Sequence, residues 1–426
     1  MFKPFVWHGA VGAMLVLIAM AGVPVPAQPA LAQPALGAEL SWLLASARSQ
    51  NPDIAIAALE RDMAAARASA ADSLADPMFR VEFNDNTRSS GLLPDQLGFR
   101  KYMLEQSFPL GGKRGLRRSI ADADTADAQA RQDQAVNELV ARIKTVQAKR
   151  HLAQAGLRIL GEQRGLLDRT VDAADRGYAQ GRTGQEGALS SRLARNRLET
   201  EIVRLQGDIR QLDARMNGLL GRDTSAILQP PLGFVPMPRP ERLQFEGLIA
   251  EALDRNPQFR QLAARGAGAD ARRRLADADW VPDVSLGIGT IEQDLGVRAY
   301  EAYVSLNIPL RGGLRDARKN EAIAEQSAVR VRRQAIELEL ASNLREMLAG
   351  LEAQKRIEDL SGGSILSQAR AALNAQLRAY EQGSGGFADL VQAQSRLREV
   401  ELDGIRAQAE QRRLLAEIER LVGGDL

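Results

Sequence analysis

The chain has 426 residues, a formal net charge of +2 and no cysteine. A near-neutral total argues against a dedicated nucleic-acid binder, which needs a clustered basic surface. The lack of cysteine excludes disulfides and a lipid-modified cysteine. Aromatic residues make up only 4% of the chain, a composition that favours long helices over one thick globular core.

The first 32 residues have the pattern of a secretory signal. Lys3 precedes an apolar run over residues 9–25, and Ala30-Leu31-Ala32 fits a cleavage site of small residues. The alternative is an uncleaved membrane anchor, which is disfavoured because three prolines would break the helix before it completed a span, namely Pro24, Pro26 and Pro29. We therefore exclude residues 1–32 from the fold and expect export from the cytoplasm.

A helical region followed by two strands is predicted next. Residues 38–74 favour an alanine-rich helix broken at Asn51-Pro52, where Asn51 is placed to cap the second part. Residues 78–86 alternate between apolar and polar side chains, and residues 97–108 do so again after a loop. This pattern indicates one β-hairpin.

A proline and glycine segment then ends the strand and begins a long helix. Residues 107–115 read Ser-Phe-Pro-Leu-Gly-Gly-Lys-Arg-Gly, and residues 307–315 read Asn-Ile-Pro-Leu-Arg-Gly-Gly-Leu-Arg. Proline cannot donate to a sheet ladder, and glycine allows a sharp redirection of the backbone. We predict that a strand is converted into a helix at both places.

Residues 117–178 carry apolar side chains at alternating spacings of three and four, as in a coiled coil. Arg150 and Arg164 interrupt this seam. They could line a tunnel or pair with carboxylates across helices, but we favour side chains that extend to solvent from the edge of the seam. Four glycines predict a turn, and a second seam over residues 198–219 completes an antiparallel helical hairpin. The glycines are Gly177, Gly181, Gly184 and Gly187.

The whole pattern occurs twice. Asn256-Pro257 follows Asn51-Pro52 by 205 residues, and Tyr380 follows Tyr178 by 202. Such constant offsets indicate an internal duplication. We predict a first repeat over residues 33–221, a proline-rich linker over 222–240 and a second repeat over 241–426. Each repeat contains a helix, a β-hairpin and a long helical hairpin.

Four strands per chain are too few to close a useful barrel. A bilayer does not tolerate unpaired backbone groups, so several copies are expected to close one barrel together. The charged helices must instead stand in water. The predicted fold is mainly α with a small antiparallel β part. Long coiled-coil helices form an α-barrel below a transmembrane β-barrel with four strands per chain.

The chain resembles the TolC family of outer-membrane efflux proteins over about residues 40–423. The likeness lies in the duplication, the order of elements and the tip sequence over residues 380–393, which begins Tyr-Glu-Gln-Gly and contains Asp389. The resemblance implies a homotrimer with a trimeric α-barrel and a twelve-stranded β-barrel in the cell outer membrane, extending into the periplasm. Partners implied are a periplasmic adaptor protein and an inner-membrane RND-type pump. The motif over residues 110–115 is similar to the heavy-metal cation efflux branch of the Czc and Cus type.

The resemblance also implies sites. Asp389, Gln392 and Tyr380 fall at the periplasmic gate, where Asp389 alone keeps a carboxylate; capping of a helix is its alternative role. The tips would dock the adaptor, or would only form turns, and comprise Gly181, Arg182, Thr183, Gly383, Ser384 and Gly385. Basic residues flank both strand-to-helix segments and would meet lipid headgroups or water, namely Lys113, Arg114, Arg117, Arg311 and Arg315.

We expect a passive exit duct, neither an enzyme nor a cofactor protein. His151 is the one histidine after the signal, so a high-affinity metal site within one chain is not expected. Heavy-metal cations are the leading cargo, followed by drugs or other small molecules and by proteins of type I secretion. A soluble periplasmic coiled-coil scaffold or adaptor is the competing class of protein.

Overall fold

A computed structural model describes residues 37, 39–84, 99–179, 185–293, 296–308, 310, 312–382 and 384–426. Nine α-helices lie in these ranges: α1 Leu40–Gln50, α2 Pro52–Ala70, α3 Lys113–Ala179, α4 Gln185–Leu219, α5 Phe245–Arg255, α6 Pro257–Ala278, α7 Gly312–Leu360, α8 Leu366–Glu381 and α9 Phe387–Val422. Four strands accompany them: β1 Met78–Asn84, β2 Phe99–Phe108, β3 Asp283–Gln293 and β4 Gly296–Asn307. The fold is mainly helical with one small antiparallel sheet, as the sequence predicts.

The order of elements repeats, and the same kind of cap begins the second helix of each copy. The side-chain oxygen of Asn51 accepts from the amide of Asp53, and that of Asn256 accepts from the amide of Gln258. Each asparagine therefore caps the helix that starts at the following proline. The exact limits of the two repeats and the linker remain predictions.

Each cap also fixes the end of a distant helix. The side-chain amide of Asn51 donates to the carbonyl oxygen of Leu219 at 2.8 Å, and that of Asn256 to Leu421 at 2.7 Å. A glycine follows each of these helices in the left-handed region, Gly221 and Gly423. A Cβ atom on Gly221 would lie 2.4 Å from the Gln50 carbonyl oxygen, and one on Gly423 would lie 2.7 Å from the Arg255 carbonyl oxygen. Only glycine therefore lets these two backbone segments approach so closely.

The four strands form one antiparallel sheet in the order β1-β2-β3-β4. Leu104 of β2 pairs with Phe79 of β1 on one side and with Ile288 of β3 on the other. The hairpins of the two repeats thus join through β2 and β3, which share nine consecutive pairs from Arg100 to Phe108. The sheet edges are β1 and β4.

The long helix α3 is the backbone of the helical part. It spans 67 residues, about 100 Å at 1.5 Å per residue, and packs against α2, α4, α6 and α9. It begins four residues earlier than predicted, at Lys113, because the glycine pair ends at Gly112. Among the helices of the described ranges, none combines the length and apolar character needed to cross a membrane.

Two of the four glycines assigned to the turn between the long helices lie inside those helices. Gly177 lies in α3 and Gly187 in α4, so the prediction that they belong to the turn is wrong. Helix α4 begins at Gln185, and the cost of one glycine within a helix, about 1 kcal/mol relative to alanine, is small enough for Gly187 to be included. Gly181 and Gly184 lie outside the described residues.

The second repeat contains a break that the first does not. A π-helical turn over Ser361–Ile365 separates α7 from α8. Within it, Gly363 has a non-helical backbone with φ of −98° and ψ of −112°. The sequence predicts this interruption at Gly362-Gly363. The core lies in three clusters, two beside the caps and one near the tip that unites α3, α4 and α9.

Candidate functional site

One face of the sheet is apolar and exposed. Phe79, Leu104 and Ile288 are neighbours in one rung across three strands, and all three are exposed. Leu286 and Val304 form an adjacent exposed pair. A contiguous apolar surface of this kind indicates contact with lipid or with another apolar surface.

The opposite face carries paired charges. The Tyr303 hydroxyl donates to Glu105 at 2.7 Å, and Arg80 lies 3.3 Å from the same carboxylate. Lys101 pairs with Glu301 at 3.0 Å. The sheet is therefore amphipathic across its thickness, which suits a wall between an apolar and an aqueous phase.

Gly287 makes this polar face possible. It pairs directly with Tyr303, and a Cβ atom there would lie 2.2 Å from the tyrosine ring. The ring passes over the glycine to reach Glu105 on the next strand. The alternation along the strands predicts a polar face, but the pairing of these side chains across strands has no signal in the sequence.

The first strand-to-helix segment is tied to the second repeat. Lys113 is only 4% exposed, and its ammonium donates to the Asp283 carboxylate and to the Val281 carbonyl, both at 2.7 Å. The expectation that Lys113 meets lipid headgroups is wrong, because its charge is satisfied inside the chain. The Leu110 amide also donates to Asp283, at 3.3 Å.

Other basic residues at these segments remain at the surface. Arg117 and Arg114 are exposed, and Arg114 donates to the Asp72 carbonyl at 2.7 Å. Arg315 donates to the Asp279 carbonyl at 3.0 Å and stacks on the Trp280 ring. Arg311 lies outside the described residues.

At the other end of the helices, Asp389 and Gln392 are exposed on neighbouring turns of α9. Asp389 stands in the first turn, where the helix dipole stabilises a negative charge. Tyr380 contacts the Phe387 ring edge-on at 6.3 Å, and burial raises the pKa of its phenol. Tyr380 therefore anchors the tip, and Phe387 belongs to the buried apolar cluster that includes residues of α3 and α4.

The tip turn depends on one glycine for its closure. The amides of Ser384 and Gly385 both donate to the Ala379 carbonyl, at 2.9 and 3.0 Å. A Cβ atom on Gly385 would lie 2.9 Å from the Ala379 side chain and 3.1 Å from the backbone nitrogen of Tyr380. Gly385 thus has a structural role whatever else docks here. Gly383, Gly181, Arg182 and Thr183 lie outside the described residues.

The two seam arginines form pairs between α3 and α4. Arg150 is 2% exposed and donates to Asp213 at 2.7 Å, so the expectation that it extends to solvent is wrong. The polar partners around it offset the cost of burying its charge. Arg164 pairs with Glu199 at 2.8 Å, but both side chains are well exposed.

Over the described ranges, the side chains of histidine, aspartate and glutamate do not form a group of three suited to hold a metal ion.

The arrangement of an amphipathic sheet on long helical hairpins is the fold of outer-membrane channels. The outer membrane protein VceC from Vibrio cholerae matches with a TM-score of 0.77 and 18% identity, covering 91% of this chain and 96% of that one. A membrane protein from Pseudomonas aeruginosa matches with a TM-score of 0.79, 18% identity and coverage of 92% and 91%. CusC, studied for transmembrane channel formation, matches with a TM-score of 0.75 and 19% identity, covering 94% of this chain and 97% of that one.

Residues 248–424 match the family model described as Outer membrane efflux protein. The second part of the chain therefore matches this family, in agreement with the resemblance to outer-membrane efflux proteins drawn from the sequence; the match does not distinguish the heavy-metal branch from the others. A comparison with curated protein sequences gave no significant match. An efflux protein is a conduit for transport, in agreement with the prediction that the chain is not an enzyme.

Proposed function

We propose that this protein is the outer-membrane exit duct of an efflux system, with its helices extending into the periplasm. The exposed apolar face of the sheet carries the proposal, because an aqueous protein does not leave Phe79, Leu104 and Ile288 together in water. The charged network on the opposite face supports a water-filled lumen.

Closure of the barrel requires further copies of the chain. The sheet has the edges β1 and β4, and a bilayer requires both to be paired. A homotrimer supplies twelve strands. A stripe of exposed apolar residues on α2, formed by Ile56, Leu59 and Met63, supports side-by-side packing of helices from adjacent copies.

The helix tips are the proposed contact with a periplasmic adaptor, which in turn engages an inner-membrane RND-type pump. The exposed Ser384 and the small residues around it support a close approach of another helical hairpin. Transport through the duct is then passive, and Asp389 with Gln392 and Tyr380 forms the gate. Arg114, Arg117 and Arg315 are proposed to stand at the membrane edge.

For the cargo we propose heavy-metal cations, supported by the motif over residues 110–115 and by the carboxylate of Asp389 at the gate. Drug export and type I protein secretion are the alternatives. Deletion of the gene separates them, because the strain should gain sensitivity to metal salts; sensitivity to drugs alone, or loss of a secreted protein, would reassign the cargo.

The channel proposal is tested by two matched substitutions. Ile288→Arg places a charge on the apolar face of the sheet, at a residue that is 64% exposed. Ile227→Arg places the same charge in the segment between α4 and α5, at a residue that is 80% exposed. An arginine facing the middle of a bilayer costs about 2–4 kcal/mol. Ile288→Arg should therefore abolish membrane insertion and bilayer conductance, and Ile227→Arg should leave both intact.

The parent protein provides the decisive outcome of the same experiment. It should require detergent, have the mass of a trimer and conduct ions in planar bilayers. A monomer that stays in the soluble periplasmic fraction, with both variants behaving alike, would overturn the channel proposal.

A further inference from the structure

The segment that connects α4 to α5 is held against α3 and α9 at three points. The Arg150 guanidinium donates to the Gln229 carbonyl at 3.0 Å, and the Arg412 guanidinium donates to the Val235 carbonyl at 2.8 Å. Between these contacts, the Phe234 ring lies against the His151 ring of α3 with centroids 4.2 Å apart. We refer to residues 229–237 as the strap.

His151 is the one point of attachment that changes charge near neutral pH. It is partly buried, and its Nδ1 atom is shielded from solvent with no hydrogen-bond partner in the structure. Arg150 beside it is already neutralised by Asp213 on α4. The histidine therefore contributes to the strap through ring packing and not through an ion pair.

The charged groups that face His151 are positive. Arg158 follows two turns later on α3, and Arg412 approaches from α9 with its guanidinium 5.4 Å from the centroid of the Phe234 ring. From the strap itself only the Pro231 carbonyl favours a protonated ring. From α7, the Glu358 carboxylate acts on Arg412.

Burial, followed by the charges of Arg158 and Arg412, lowers the pKa of the His151 imidazole, and the Pro231 carbonyl opposes this without reversing it. The neutral ring is thus the form that suits the packed strap. A proton on His151 would add a third positive charge beside two guanidinium groups and a partly desolvated ring.

We propose that His151 is a pH-sensitive latch, and that its protonation releases the strap from α3 and α9. This inference concerns the chain by itself and is independent of what passes through the channel. Two cavities adjoin the strap, one of about 510 Å³ lined in part by Leu232, Gly233 and Phe234, and one of about 760 Å³ lined in part by Met237. Release of the strap would open both and change this surface for any partner.

The absence of cysteine makes a site-specific probe simple. Leu232 is 77% exposed and lines the smaller cavity, so Leu232→Cys can carry a nitroxide label. Electron paramagnetic resonance of this label reports the mobility of the strap. The spectrum is recorded from pH 8 to pH 5, above the usual range of carboxylate titration. A label on the exposed Lys149→Cys of α3 is the control for general changes.

We expect the mobile fraction at position 232 to rise as the pH falls, with a midpoint below about 6.5, the ordinary pKa of histidine. The label at position 149 should not respond. His151→Gln should remove the transition. Arg158→Gln, a change at an exposed residue that touches no strap contact in the structure, should shift the midpoint of release to lower pH, because the packed strap then tolerates a proton on His151 better.

Three results would overturn the proposal: no transition in the parent protein, a transition that persists in His151→Gln, or a midpoint unchanged in Arg158→Gln. The last variant keeps the test decisive if His151→Gln does not fold.

Discussion

The ammonium of Lys113, at the start of the first long helix, lies 2.7 Å from the carboxylate of Asp283, at the start of the third strand. This contact joins the two repeats at the level where strands become helices. The Lys113 side chain is 6% exposed and the Asp283 side chain is 31% exposed. The charge of the lysine therefore depends more on this pair than the charge of the aspartate does, because the aspartate also contacts water.

Lys113→Met should weaken this junction. A hydrogen bond to a charged group contributes about 1.5–3 kcal/mol, and Asp283 would lose its partner, so we expect a loss of about 2 kcal/mol in the stability of the folded protein. Thermal unfolding of the purified protein measures it. Arg117→Met, at an exposed residue one turn later, is the control and should change stability by less than about 0.5 kcal/mol. Equal effects would show that the junction does not depend on the buried lysine.

The two arginine pairs between α3 and α4 offer a direct comparison of burial. Arg150 with Asp213 is largely buried, whereas Arg164 with Glu199 is exposed. Removing one partner of a buried pair costs about 3–5 kcal/mol, and an exposed pair is worth about 0–1 kcal/mol.

We therefore expect Arg150→Met to destabilise the protein by about 3 kcal/mol, since Asp213 retains some contact with water, and Arg164→Met to have little effect. A double-mutant cycle with Asp213→Leu separates the pair from its surroundings. A coupling energy near zero would mean that Arg150 contributes through Gln147 and Gln229 alone.

The tip turn distinguishes two adjacent glycines. A methyl group on Gly385 meets the Ala379 side chain and the Tyr380 backbone, whereas on Gly386 it meets the movable carboxylate of Asp389 at 3.2 Å. Gly385→Ala should distort the turn and reduce efflux and adaptor cross-linking; Gly386→Ala should preserve both. If Gly385→Ala is fully active in a susceptibility assay, the turn is not needed in this form.

Asp389 is expected to control ion passage at the periplasmic end. Asp389→Ala should raise single-channel conductance or alter block by divalent cations in planar bilayers, since a ring of carboxylates attracts cations. The exposed Glu399 lies further along α9, and Glu399→Ala serves as the matched control. Identical recordings for all three proteins would remove Asp389 from the gate.

Glu358 should make the contact between α7 and α9 sensitive to acid. Burial alone would raise its pKa, but hydrogen bonds from Gln411 and Gln408 and the charges of Lys355 and Arg412 outweigh it and leave the pKa lowered. A lowered carboxyl pKa contributes stability that is present above the ordinary value of 4.5 and is lost as the pH falls through the folded value.

Glu358→Gln should therefore lower the melting temperature at pH 7 and flatten its decline below about pH 5, where the folded carboxylate takes up its proton. The exposed Glu352→Gln is the control on the same helix. If the melting temperatures of the parent protein and of Glu358→Gln change with pH in parallel, Glu358 is not the source of the acid sensitivity.

The sequence by itself determined the order of elements, the strand-to-helix segments and the break at Gly362-Gly363. These follow from local physics: alternation with period two, heptad spacing, and the backbone effects of proline and glycine. Equal spacing of landmarks also revealed the duplication. The asparagine caps could be predicted because Asn-Pro acts within one turn of its own helix.

Only the tertiary structure decided how buried charges are used. Lys113 and Asp283 are 170 residues apart, and Arg150 and Asp213 are 63 apart, so no local pattern reveals that they meet. The same holds for Glu105 with Tyr303, which requires the pairing of β2, β3 and β4 and the missing side chain of Gly287. The reason is physical: a charge is stable in the interior only where the fold brings a partner to it, and that partner is set by packing, not by sequence neighbours.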